Sequence, residues 1–319
     1  MTADSMDRRQ FLKVAGTAAA TTALVAACGP VELVALPQEY RIPRRVLGKT
    51  GRKLSVVGFG GIVVMNETPE SAAQLVSQAI EWDINYFDVA PSYGNAEQRL
   101  GPALEPYRDQ VFLACKTEMR TRKSAELELA RSLEHMRTDH FDLYQHHAVT
   151  TMAEVDRILG PDGAMEAFLD AREKGLIRHI GFSAHSEQAA LAMLDRFQFD
   201  TVLYPINWVC WYQGNFGPSV VAKAQEQGIG ILALKSLALE QGKNMDYPKC
   251  WYKPVTTAED AAMGLRFTLS RPATAAVSPS HAELLWWMCD AAQNLTPLTR
   301  QEEALLAGKS AELTPIFTA

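Results

Sequence analysis

Residues 84–95 read INYFDVAPSYGN. Ile84 to Phe87 form a short apolar run, Asp88 follows where a buried strand gives way to solvent, and Tyr93 stands five residues further on. Alone, the aspartate reads as a helix cap and the tyrosine as a loop anchor. The run gains its meaning from seven others: Leu54–Val57, Val111–Lys116, Phe141–His147, Ile177–Ser183, Thr201–Ile206, Gly230–Lys235 and Thr274–Ser278. Helical patterns separate them. The first has Thr68 as N-cap, Pro69 at the first helical position, and Ala72, Leu75, Val76, Ala79 and Ile80 on one apolar face. Eight strand–helix units predict an α/β chain folded as a (β/α)8 TIM barrel. An open doubly wound sheet usually has fewer strands and a Gly-rich first turn, which Gly58-Phe59-Gly60-Gly61 does not match. Residues 40–53 predict an N-terminal hairpin capping the bottom, with a turn at Lys49-Thr50-Gly51. Residues beyond 281 add C-terminal helices, one opened by a capping box of Thr299 and Glu302.

In such a barrel the chemistry sits at the C-terminal ends of the strands. Those ends carry Asp88, Lys116 and His147, with Tyr93 in the loop after Asp88. A tyrosine ionises near pH 10, so it donates a proton at neutral pH more readily beside a cation that stabilises the phenolate. Lys116 is that cation, and Asp88 keeps it charged and oriented. Successive strand residues face opposite sides, so only one of His146 and His147 points into the mouth.

The chain from about Arg41 onward resembles the aldo-keto reductase superfamily. Arg45-Val46-Leu47-Gly48-Lys49-Thr50-Gly51 matches the family's hairpin. Asp88 with Tyr93, Lys116 at the end of VFLACK, Asp142-Leu143-Tyr144 and Ile177-Arg178-His179-Ile180-Gly181-Phe182-Ser183 match its strands. The resemblance implies reduction of an aldehyde or ketone by hydride from a nicotinamide cofactor, NADPH or NADH. In that scheme Tyr93 is general acid, Lys116 and Asp88 tune it, and a histidine orients the carbonyl. The family spacing, three residues after the tyrosine of Asp142-Leu143-Tyr144, selects His147; His146 is then expected to pack beneath a helix. A metal site drawing on His146, His147 and His185 would need an H-x-H on the first strand, and none exists, so no metal is expected.

For the cofactor, Ser183 is expected at the carboxamide, and Lys235 and Ser236 at the pyrophosphate. The match is otherwise thin: Ala184 replaces the family's Asn, Leu203 its Gln and Leu234 its stacking aromatic. Residues 278–283 hold no Lys or Arg to neutralise a 2′-phosphate, so NADPH is not strongly preferred. The aromatic-rich loops after strands six and seven suit an apolar or aromatic carbonyl, although about half of these rings are expected only to pack. The thin cofactor grip leaves an alternative: a non-catalytic barrel that holds a ligand or partner at the cell envelope.

The first thirty residues stand apart from the barrel domain, 31–319. Arg8-Arg9-Gln10-Phe11-Leu12-Lys13 resembles a twin-arginine export signal, with Asp7 where Ser or Thr is usual, and the run Val14 to Ala27 is too short and too rich in Ala and Thr to span a bilayer. Val25-Ala26-Ala27-Cys28 resembles a bacterial lipobox, which makes Cys28 a lipoprotein anchor; ordinary cleavage near Ala27 is the other reading. The expected location is the periplasm or the membrane surface of the envelope, reached through the twin-arginine machinery. Counting from Cys28 drops Arg8, Arg9, Lys13, Asp4 and Asp7, leaving 28 basic and 35 acidic residues, a net of −7. No basic stripe remains for nucleic acid. The five cysteines form no CxxC pair or metal cluster, and Cys210 and Cys250 are expected as free thiols.

Overall fold

A computed structural model describes residues 41–319, so the stretch expected to act as an export signal and Cys28 lie outside the described residues. Two short strands, β1 (Arg44–Val46) and β2 (Lys53–Ser55), pair antiparallel as the expected hairpin. Eight further strands close a fully parallel barrel: β3 (Val57–Gly60), β4 (Tyr86–Asp88), β5 (Phe112–Thr117), β6 (Phe141–Val149), β7 (Ile177–Ala184), β8 (Thr201–Pro205), β9 (Gly230–Leu234) and, beyond a loop hairpin of β10 (Ala238–Gln241) with β11 (Tyr252–Pro254), β12 (Ala275–Val277). β12 pairs with both β9 and β3, completing the ring.

Period-two alternation sorts the strand side chains. Tyr86, Phe112, Ala114, Leu143, Leu203, Leu232, Ala275 and Val277 pack the interior with Leu47 and Leu54 of the hairpin. Closing the bottom with those two leucines leaves the opposite end for polar groups. The hairpin sits so tightly that a Cβ on Gly48, where φ is +45°, would come 2.4 Å from the Gly230 nitrogen. Intervening residues pack outward under the helices. Helix Pro69–Glu81 has the expected Thr68 cap, accepting from Ser71 N–H, and helix Arg300–Ser310 has the Thr299–Glu302 capping box.

The expected first strand, Leu54–Val57, needs correction. Leu54 and Ser55 belong to the hairpin, the chain bends at Val56, and the barrel strand begins at Val57. Side chains impose the break: Ser55 Oγ donates to the Val57 carbonyl and Asn85 Oδ1 accepts from Ser55 N–H. One apolar run thus serves two elements. The glycines of Gly58-Phe59-Gly60-Gly61 make room for packing: a Cβ on Gly58 would meet the Tyr86 ring at 2.5 Å, and one on Gly60 the Ser278 carbonyl at 2.5 Å.

Candidate active site

The register sets the polar strand ends one inward-facing step apart, at the same end of the barrel. Asp88 is level with Ala114, and Lys116 is level with Gln145. The structure brings Asp88, Lys116, Tyr93 and His147 together there. Lys116 Nζ donates to Asp88 Oδ1 and to the Val89 carbonyl at 3.2 Å, and it lies 3.3 Å from Tyr93 Oη. Asp88 Oδ2 accepts from Tyr86 Oη at 3.2 Å and from Gln145 Nε2 at 3.1 Å. Three donors therefore fix the carboxylate, and the carboxylate fixes the ammonium. Burial alone would lower the Lys116 pKa; the charge of Asp88 above all, with the hydrogen bonds to Asp88 and Tyr93, outweighs it, so the pKa is raised and the ammonium stays charged.

Tyr93 modifies the sequence argument. Burial raises its pKa, Lys116 pulls it down and Asp88 pushes it up again, with a net rise. The phenol is thus firmly protonated at rest. Its proton leaves only as negative charge grows on an acceptor, and Lys116 then stabilises the phenolate.

His147 stands edge-on to Tyr93, with ring centroids 5.8 Å apart. The backbone just beyond it is irregular: β6 shifts register before Val149, Ala148 has φ of +53°, and Ala148 N–H donates to Ser183 Oγ at 2.8 Å instead of joining the ladder. A left-handed alanine costs about 1–2 kcal/mol. The bulge sits beside His147, where such irregularities re-aim a strand end. His146 faces the other way, stacked on Phe168 of helix Ala164–Glu173 with centroids 3.9 Å apart.

Ser183, Lys235 and Ser236 lie at the ends of the next strands. Ser183 Oγ accepts from Ala148 and keeps its own proton to donate. Lys235 has φ of +66°, and its ammonium lies over the rings of Trp251 and Tyr252 at 5.0 and 4.7 Å, with no carboxylate partner among the described residues. Burial, opposed by Cys250 and reinforced by the Lys116 charge, brings its pKa down to about 8. Ser236 Oγ is buried without a hydrogen-bond partner. An ammonium with no carboxylate partner among the described residues and an unpartnered buried hydroxyl are each groups that an anion can satisfy, so these residues are compatible with the pyrophosphate of a dinucleotide. Near residues 278–283 the backbone N–H of Lys249 donates to His281 Nε2, but the Lys249 ammonium is held by Glu67 at 3.0 Å and the Val63 carbonyl at 3.0 Å.

The sequence pattern of the aldo/keto reductase family matches residues 56–280, most of this barrel. The chain belongs to the aldo/keto reductase family. It is 30% identical over 155 residues to the uncharacterized oxidoreductase YqkF of Bacillus subtilis, covering 44% of this chain and 48% of that one. It is 28% identical over 227 residues to L-galactose dehydrogenase of Arabidopsis thaliana, covering 63% and 69%. The match therefore spans about half of the Bacillus relative's length. An aldo-keto reductase from Bacillus halodurans in its holo form superposes with a TM-score of 0.67 at 21% identity, covering 87% of this chain and 98% of that one, which shows the shared fold.

Several further residues line this family member's site. Gln145 lies two before His147 and Glu118 two after Lys116, so period two alone aims them at the mouth. Tyr86 carries the same signal, two before Asp88. Phe317 carries none: from near the C-terminal end of the sequence it stacks on His185 with centroids 4.8 Å apart and meets Trp251 at 5.8 Å. Among the loop aromatics Trp208, Phe216, Tyr247 and Tyr252 are buried packing residues, whereas Trp251 is 48% exposed. Cys115, Cys210, Cys250 and Cys289 are free thiols.

Proposed function

We propose that this aldo/keto reductase reduces an aldehyde or ketone with NAD(P)H, and that it works outside the cytoplasm. The observation that carries the chemistry is the Lys116–Asp88 pair set 3.3 Å from Tyr93 Oη. A barrel that merely held a ligand would need neither a proton donor nor a buried cation behind it. A nicotinamide, when bound, supplies the hydride. Tyr93 gives its proton to the carbonyl oxygen, Lys116 stabilises the phenolate left behind, and Asp88 keeps Lys116 charged. His147 positions the substrate. Lys235 and Ser236 would hold the pyrophosphate and, by the family likeness, Ser183 the carboxamide.

Tyr93→Phe tests the assignment. Cofactor affinity, followed by tryptophan fluorescence, should hardly change, while turnover falls by about 10²-fold or more, because the lost hydroxyl acts on the transition state. A Tyr93→Phe protein that keeps most of its turnover would sink the mechanism.

Export rests on Arg8-Arg9-Gln10-Phe11-Leu12-Lys13, and attachment to the membrane on Cys28. Resemblance to twin-arginine substrates implies folding before transport, which lets the barrel carry its cofactor out of the compartment that makes it.

A further inference from the structure

The hairpin that closes the bottom of the barrel carries charge that the chemistry above does not use. Residues 41–53 hold Arg41, Arg44, Arg45, Lys49, Arg52 and Lys53 and no acidic residue, in a chain whose net charge is negative. Packing engages two of the six. Arg44 donates to Asp83 Oδ1 at 2.7 Å, and Arg45 donates to the carbonyls of Leu269 and Ala273 at 2.8 Å. Arg41, Lys49, Arg52 and Lys53 are exposed. Arg52 lies 4.0 Å from the buried carboxylate of Asp142, which Arg178 at 2.8 Å and Arg108 at 3.1 Å already hold. Three guanidinium groups thus share one negative charge. Asp109 and Asp139, exposed ahead of β5 and β6, oppose the patch from outside the hairpin, Asp139 with His140 at 2.6 Å.

Tertiary contacts spread the hairpin across this whole end. Arg44 reaches Asp83 ahead of β4, Arg52 lies over the Phe112 ring at the start of β5, and Gly48 packs on Gly230 at the start of β9. Whatever approaches the barrel from below meets the hairpin first. Val46, 50% exposed, is its exposed large apolar side chain and edges an open hollow of about 390 Å³ with Ile229, Ile231 and Pro272. One apolar side chain among cations does not make a stable protein interface, which takes about 800 Å² from each partner around an apolar core. It suits a bilayer surface, where cations meet headgroups and a small apolar group dips between them. Position agrees. The described residues begin at Arg41, thirteen positions after Cys28, a reach of at most about 45 Å. A barrel of about 280 residues has a radius of gyration of about 19 Å, so a chain running round the outside from hairpin to mouth needs roughly 75 Å. Attachment at Cys28 therefore brings the bottom to the membrane and holds the mouth off it.

We propose that the hairpin is a docking face for an anionic lipid surface: Arg41, Lys49, Arg52 and Lys53 rest against the headgroups, Val46 dips between them, and the mouth opens to water on the far side. The reach argument rests on the Cys28 attachment proposed above; the charge argument does not. Each cation that reaches a strongly anionic surface raises partitioning by about fivefold, and salt screens the attraction within about 8 Å at physiological ionic strength. Four cations give a weak hold that orients a tethered barrel without replacing its anchor, so a chain lacking an acylated Cys28 still washes off as soluble protein. Substrate then reaches Tyr93 from the aqueous phase and not from the bilayer.

Vesicle sedimentation tests it. Full-length Cys28→Ala protein, which cannot be acylated, is spun at low salt with phosphatidylcholine vesicles and with vesicles that also contain phosphatidylglycerol. Binding should favour the anionic vesicles by about tenfold or more and fall away as salt approaches about 1 M, where the screening length drops to about 3 Å. Lys49→Gln/Lys53→Gln should lower the partition coefficient by about 25-fold, and Lys49→Glu/Lys53→Glu by more. Arg8, Arg9 and Lys13 are the same in all of these proteins, so the difference belongs to the hairpin. NADPH binding, followed by tryptophan fluorescence, should be unchanged by either substitution and by vesicles, which marks an intact barrel with its mouth free. Equal binding to both kinds of vesicle, or binding that both hairpin variants keep, overturns the proposal, as does a mouth that vesicles close to NADPH. Duplex DNA that displaces the protein from vesicles at equal phosphate concentration overturns the choice of partner. None of these readings depends on acylation, so fractionating cells that express Cys28→Ala judges the anchor separately.

Discussion

Asp88→Asn should damage this protein far beyond what loss of one surface charge would do. Lys116 is 1% and Asp88 2% exposed, so neither charge is solvated by water. The substitution keeps the side-chain shape and opens no cavity; what it removes is the charge that makes a buried ammonium tolerable. Breaking such a pair from one side costs about 3–5 kcal/mol. Unfolding a chain of about 280 residues at roughly 2.1 cal/mol/K per residue gives an entropy near ~0.6 kcal/mol/K, so Tm should fall by about 5–9 °C. Lys116→Met should be harmful for the mirror-image reason: Asp88 would keep only Tyr86 and Gln145 as donors. The double variant removes both charges and should recover at least half of the larger single loss, a coupling expected only of partners that share a desolvated site. Scanning calorimetry on the four proteins measures this. If the single losses stay below about 1 kcal/mol, or simply add in the double variant, the pair is screened as at a surface and Asp88 is not what keeps Lys116 charged.

Three further outcomes are expected. Residues 278–283 carry no Lys or Arg, and the Lys249 ammonium nearby is held by Glu67, so NADPH should be preferred to NADH by less than about 3 kcal/mol; a larger preference in direct binding measurements refutes that reading. His146 is fully buried with neither ring nitrogen partnered among the described residues, and burial lowers its pKa to about 3. The unfolded chain, whose histidine titrates near 6.5, therefore binds a proton that the native state does not. Stability is lost as pH falls from about 6.5 toward 3, by about 1.4 kcal/mol per unit, and levels off below. His146→Leu should flatten that acid limb in urea unfolding at several pH values; an unchanged slope assigns the acid sensitivity elsewhere. For the export signal, wild type should fractionate with the envelope and Arg8→Lys/Arg9→Lys with the cytoplasm, while Cys28→Ala should be exported as soluble protein. Equal distribution of wild type and the double-lysine form overturns export.

Much of the barrel was legible because its rules are local. An apolar run of five or six residues can form a strand wherever it lies, Thr68 and Pro69 start a helix by their own side-chain chemistry, and Tyr93, Lys116, Asp88 and His147 sit at strand ends that sequence can count. Alternation also set His146 and His147 on opposite faces, because facing is a property of the strand itself, and the family likeness chose which of the two enters the mouth. Other features depend on what the chain meets in space. The division of Leu54–Val57 between hairpin and barrel followed from bonds that Ser55 makes to Val57 and, across 30 residues, to Asn85. Lys116 could be named as a cation near Tyr93, but that burial outweighs it and leaves the resting phenol more firmly protonated is a matter of desolvation, which depends on every neighbouring element at once. Glu118 meeting Nδ1 of His147, and Phe317 arriving over His185, are fixed by long-range packing alone. Local pattern determined which groups reach the mouth of the barrel; only the closed tertiary structure decided which atoms face one another there, and hence which protons each can hold.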